Sequence, residues 1–116
     1  MSNDISKLYF ILEKIEDIST FKKRFHTVEE LLNDKMGFDA TLMCLLQIGE
    51  SLKKLQNTYG HFDTDDIKGA YNVRNFIAHD YEGINKSIIE SIIREHLPKL
   101  KTTIKTILKK GGLDCE

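Results

Sequence analysis

Residues 38–56 read FDATLMCLLQIGESLKKLQ, and the way this stretch folds decides the architecture. Phe38, Leu42, Leu45, Gly49 and Leu52 fall on one face of a 3.6-residue helix, and Met43, Leu46 and Ile48 widen the stripe. A helix apolar over so much of its circumference lies at the centre of a bundle or in an interface. Gly49 inside it lowers helix propensity by about 1 kcal/mol relative to alanine. Either it admits the close approach of another helix or it is simply tolerated; the sequence alone leaves both readings open.

The same period continues outward in both directions. Upstream, Ile5, Leu8, Leu12 and Ile15 follow helical spacing, with Asn3 or Asp4 as candidate caps. Thr27 followed by Glu30 is a capping box that opens a short helix, and Lys35-Met36-Gly37 reads as a joint. Downstream, Asn57–Gly60 ends the central helix and His61–Thr64 forms a loop. Thr64-Asp65-Asp66 supplies a cap and first-turn carboxylates for a helix from about Asp65 to near Tyr81. Glu82–Asn85 is a turn. A last helix from about Ser87 to Lys109 carries Ile89, Ile92, Ile93, Leu97, Leu100, Ile104 and Leu108. Pro98 interrupts that stripe and is expected to kink or divide the helix. Gly111-Gly112 stops it, leaving residues 111–116 as a frayed tail. No strand pattern, repeat or linker emerges. The expected fold is all-α: one domain over residues 1–116, an antiparallel bundle of four to five helices.

Composition narrows the function classes. The chain has 116 residues, 41% hydrophobic and 30% charged, which suits one globular domain. No apolar run is long enough to cross a membrane. The N-terminus lacks the basic and apolar regions of a secretory signal, so the cytosol is the expected compartment. Cys44 and Cys115 are expected as free thiols. No Cys/His cluster suggests a metal, and no cofactor motif stands out. The net charge of -1 gives weak steering toward a polyanion. A nucleic-acid binder would need a local basic cleft, with Lys22, Lys23, Arg24, Lys53, Lys54, Lys99, Lys101 and Lys105 as candidates. On composition alone these lysines and arginine read rather as solvated helix faces.

One constellation carries chemistry: residues 74–81, RNFIAHDY. On a helix Asn75 and His79 share a face, Arg74 and Tyr81 are nearly eclipsed, and Arg74 and His79 stand about 140° apart. Arginine offers a donor fork for phosphate. Histidine exchanges a proton near neutral pH. Asn75 can orient the imidazole or bind a phosphate oxygen, and the Tyr81 hydroxyl can hold a substrate or accept a modifying group. Metal-independent RNA cleavage needs a base, an acid and a cation. One histidine and one arginine supply half of that set, and a two-fold dimer would double it. The other reading is a dipole-facing histidine and a packed tyrosine with no shared task. His26, His61 and His96 read as surface residues.

Three ordered features resemble the HepT-like branch of the HEPN superfamily. Gln47-Ile48-Gly49-Glu50 is similar to the family's IGE signature. Arg74 to Tyr81 is similar to its R-x-x-x-x-H-x-Y motif. Tyr81–Asn85 followed by His96-Leu97-Pro98-Lys99-Leu100 is similar to its turn and Leu-Pro-x-Leu segment. The resemblance runs from Ile5 to Leu108 and makes Pro98 a family feature. It implies a HEPN bundle that forms a homodimer with the motif helices lining a shared cleft. It further implies a metal-independent endoribonuclease toxin, needing no cofactor, that is paired with a minimal nucleotidyltransferase antitoxin of the MntA kind. Arg74 and His79 would be catalytic, and Asn75 and Asp80 would support them and the RNA. Tyr81 would line the cleft and receive AMP from the antitoxin. Glu50 is either functional or a helix residue near the dimer seam, and the structural reading is preferred. The alternative is a non-catalytic helical partner that presents Tyr81 or a nucleotide-binding groove to the nucleotidyltransferase.

Overall fold

Capping chemistry sets where the helices begin in the computed structural model, which describes residues 3–55, 60, 62, 64–79 and 83–110. Helix α1 spans Asn3–Phe25. Asp4, expected as a possible cap, instead sits buried within its first turn. The inward face is Leu8, Ile11, Ile15 and Ile18, with Leu12 packed at its flank. His26 ends α1 in the left-handed region, at φ 69°, a conformation that costs an L-residue about 1–2 kcal/mol.

Helix α2 (Val28–Asn33) follows at once, and half of the expected capping box forms: the Thr27 hydroxyl accepts from the Glu30 N–H at 3.0 Å, while the Thr27 N–H donates to the Phe25 carbonyl at 2.7 Å rather than to the Glu30 carboxylate. Thr27→Ala should lower stability by about 1 kcal/mol. The check is a lower urea midpoint at unchanged m-value. Helix α3 (Lys35–Lys53) starts earlier than the apolar stripe suggests, because Asp34 caps it by accepting from the Gly37 N–H at 2.8 Å. The joint therefore falls at Asp34, and Lys35-Met36-Gly37 is the first turn. Met43, expected to widen the apolar stripe, is exposed.

Helix α4 spans Thr64–His79, and the end expected near Tyr81 lies outside the described residues. The capping side chains expected at residues 64–66 lie outside the described residues, as does the tail of residues 111–116. Helix α5 (Lys86–Ser91), a π-helical turn (Ile92–His96) and α6 (Leu97–Lys110) follow without a break. The Asn85 side chain opens this rod by accepting from the Ser87 N–H at 2.8 Å. The interruption foreseen at Pro98 takes the form of the π turn. The Leu97 N–H reaches back five residues to the Ile92 carbonyl. That register change precedes the residue with no N–H and gives its ring room against the preceding turn.

Counting α5 to α6 as one rod, five helical rods make an all-helical bundle, with no strand among the described residues. α3 is its centre, packed against α1 and α4; the last rod closes onto α1 and α2. Ile89, Ile93, Leu97, Leu100, Ile104 and Leu108 are buried along it. A groove of about 290 Å³ remains between α4 and that rod, lined by Val73, Phe76, Ile88 and Ile92 among others.

Candidate active site

The contact between α3 and α4 positions the motif. A Cβ on Gly49 would lie 2.9 Å from the Ala70 carbonyl oxygen and 3.2 Å from Arg74 Cβ. Real Cβ atoms do not approach backbone oxygen that closely. Of the two readings of Gly49, close packing is therefore the one the fold uses. The next residue, Glu50, is thereby brought up to α4.

Arg74 donates from Nε to Glu50 Oε2 and from Nη1 to Asn75 Oδ1, the latter at 3.1 Å. The pair is half-buried, with the Arg74 side chain 25% exposed and that of Glu50 35%. The hydrogen bond from Arg74 holds the Glu50 carboxyl below its ordinary pKa. Desolvation opposes this, while the charges of Arg74, Lys53 and Lys54 add to it. Glu50 is accordingly an anion near neutral pH, an acceptor and a poor proton donor.

The sign of the pH effect follows. A carboxyl with a lowered folded pKa contributes stability above its unfolded value, and that contribution disappears as pH falls through the folded value. Wild type should therefore exceed Glu50→Gln in stability by most at neutral pH. The gap should narrow below the ordinary glutamate range, as measured by urea unfolding at a series of pH values.

Asn75 is half-buried, and His79 is exposed at the C-terminal end of α4. The described structure thus joins Arg74, Asn75 and Glu50. His79 stands outside that network, one turn beyond Asn75 on the same face. Asp80 and Tyr81 lie outside the described residues, as does His61. His26 and His96 are exposed, as expected.

Among the basic candidates, Lys53 and Lys54 are exposed at the end of α3 and act on the Glu50 carboxylate. Lys22, Lys23 and Arg24 are exposed at the end of α1, and Lys99 and Lys105 on α6. The site therefore gathers Arg74, Lys53 and Lys54 around one carboxylate, and such a cluster suits a phosphodiester backbone. Glu50 is the member that spacing does not reveal, since it comes from a helix 24 residues away in sequence. The signal was its place beside Gly49.

No group of three or more His, Cys, Asp or Glu among the described residues could hold a metal ion. No helix among them is long and apolar enough to cross a membrane. Cys44 is buried as a free thiol, its pKa raised by desolvation.

Residues 11–107 match the family model described as "Ribonuclease HepT-like". Three relatives from Methanocaldococcus jannaschii bear the name "Putative RNase". MJ1216 is 30% identical over 106 residues, 88% of this chain and 84% of the relative. MJ1380 is 31% identical over 101 residues, 86% of this chain and 92% of the relative. MJ0127 is 34% identical over 103 residues, 88% of this chain and 84% of the relative. No solved structure matches the chain.

Proposed function

We propose a function from one premise: the chain belongs to the HepT-like ribonuclease family. On this reading it is a metal-independent endoribonuclease that works in the cytosol as the toxin of a toxin–antitoxin pair. The observation that carries it is the arginine of the motif, held by acceptors on α4 and α3, with His79 one turn beyond Asn75.

The chemistry is transesterification. A ribose 2′-oxygen forms a bond to the adjacent phosphorus while the bond from phosphorus to the 5′-oxygen breaks. The 2′-hydroxyl proton goes to a neutral His79, and the leaving 5′-oxygen takes a proton from a protonated one. A single chain has one His79, so a homodimer with both motifs at a shared cleft completes the acid–base pair. Arg74 stabilises the negative charge that grows on the phosphorane oxygens. Asn75 and Asp80 support the site. Tyr81 lines the cleft, and a nucleotidyltransferase antitoxin adds AMP to it. The added adenosine and phosphate would block the cleft and repel the RNA backbone.

Lys53 and Lys54 would hold that backbone. Replacing both by alanine should weaken RNA binding and flatten its dependence on salt. Each lost phosphate contact removes about 0.7 from the slope of log affinity against log salt on a single strand. An unchanged slope would take the two lysines out of the RNA path.

A second reading is favoured by His79 lying outside the arginine network: a non-catalytic partner that presents Tyr81 to the nucleotidyltransferase. Expression separates the two. Growth arrest by wild type, relieved by His79→Ala and by co-expression of the nucleotidyltransferase, is the outcome of the toxin reading. Unimpeded growth with wild type, together with AMP on Tyr81 by intact mass after co-expression, is the outcome of the other.

A further inference from the structure

We propose that Glu50 is a positioning residue for the cleavage reaction, its carboxylate fixing the Arg74 guanidinium by the Nε edge while Asn75 takes Nη1. The inference rests on the ribonuclease reading above and gives the glutamate of the Gln47–Glu50 segment a task in it.

Two acceptors on different edges of a planar group define its plane. An arginine tethered only by its own flexible stem would sample many rotamers and lose them on meeting substrate. Held by Glu50 and Asn75, the Arg74 fork meets the scissile phosphate in one orientation. The tether depends on Gly49: only without a Cβ there does α4 come within 2.9 Å of that position, at the Ala70 carbonyl, which brings the adjacent Glu50 within reach.

Two other roles fit less well. As a stability device the pair is poor, because half-exposed ion pairs contribute little. As a proton donor Glu50 is unsuited, since its neighbours hold it ionised, and as a base it is weak, since the same hydrogen bond and charges lower its affinity for a proton. A carboxylate beside a phosphate site also repels a polyanion, which a site built for affinity alone would avoid. Lys53 and Lys54 offset that charge. An anion that opposes binding while ordering the catalytic cation has a specific kinetic signature: its removal lowers turnover without weakening substrate binding.

The test is steady-state cleavage of an RNA oligonucleotide by wild type, Glu50→Ala and Glu50→Gln. It is accompanied by thermal melts and by the NMR signal of the Arg74 Nε–H, assigned through its loss in Arg74→Lys. Expected for Glu50→Ala is a kcat about 10- to 100-fold lower with KM unchanged or reduced, and a shifted Arg74 Nε–H signal. Glu50→Gln keeps an acceptor oxygen and should recover part of kcat. A lowered melting temperature with kcat and KM intact would overturn the inference, as would a loss confined to a raised KM. If wild type fails to cut any RNA, the ribonuclease reading falls. The NMR arm then still decides Glu50, because an Arg74 signal identical in wild type and Glu50→Ala overturns the positioning role by itself. If Glu50→Ala does not fold, Glu50→Gln carries both arms: an unchanged kcat with an unmoved signal overturns it.

Discussion

Alanine at His79 should lower RNA cleavage by about 10²- to 10⁴-fold, the range that positioned proton transfer supplies, and leave the fold intact. His79 is the last residue of α4 and is exposed. Truncating it therefore opens no cavity, and alanine is the better helix former. Loss of activity with an unchanged melting temperature would assign the effect to chemistry. Arg74→Ala should fall by about 10²- to 10³-fold through lost electrostatic stabilisation. It also leaves the Glu50 carboxylate without the donor on its Oε2, but that carboxylate is partly exposed and can be hydrated. Arg74→Lys should not restore the rate. A lysine ammonium cannot serve Glu50 and Asn75 from two edges of one plane. Single-turnover cleavage of a labelled RNA, with circular dichroism melts alongside, checks all three variants.

Gly49→Ala should damage both fold and site. Alanine gains about 1 kcal/mol of helix propensity. Against this, the new methyl meets the Ala70 carbonyl oxygen at 2.9 Å and Arg74 Cβ at 3.2 Å. Neither is the free end of a flexible side chain, so α4 itself must move. Overpacking of this kind costs about 1–3 kcal/mol, which leaves a net loss of up to about 2 kcal/mol. The displacement falls on the backbone that carries Arg74, and a misplacement near 1 Å costs about 10²-fold in rate. Gly69→Ala on α4 is the control. Its Cβ would meet nothing within 4 Å, so it should stabilise by up to about 1 kcal/mol. Urea unfolding of the two variants beside wild type reads the opposite signs.

The difference between these two glycines shows where sequence reading stops. The period of Leu42, Leu45, Gly49 and Leu52 reveals a buried helix face, because burial imposes a repeat on residue type. It does not reveal which neighbour lies over that face. Gly49 stayed open between close packing and tolerance until α4 was in place. The cap at Thr27 is legible, since a cap acts on the N–H two or three residues ahead, whereas Asn85 reads only as the end of a turn. Asp34 does not stand out as a cap, because Lys35-Met36-Gly37 reads as a joint when glycine is taken as a breaker. Pro98 announced an interruption but not its form. A π turn placed ahead of it is a response of the backbone that no side-chain pattern encodes.

The site divided along the same line. Arg74, Asn75 and His79 are legible as candidates because they share one helix and a fixed spacing. Glu50 is not, because its tie to Arg74 crosses 24 residues and exists only once two helices meet. The sequence leaves Glu50 between a functional residue and a helix residue near a dimer seam. The fold adds that its carboxylate accepts from the arginine of the motif.

The most direct test of the central claim is cleavage of total RNA by purified wild type and by His79→Ala, both in EDTA. The claim of a metal-independent ribonuclease built on Arg74 and His79 requires cutting by wild type and at least about 10²-fold slower cutting by the variant. Equal cutting by both, or cutting by wild type that EDTA abolishes, would contradict it.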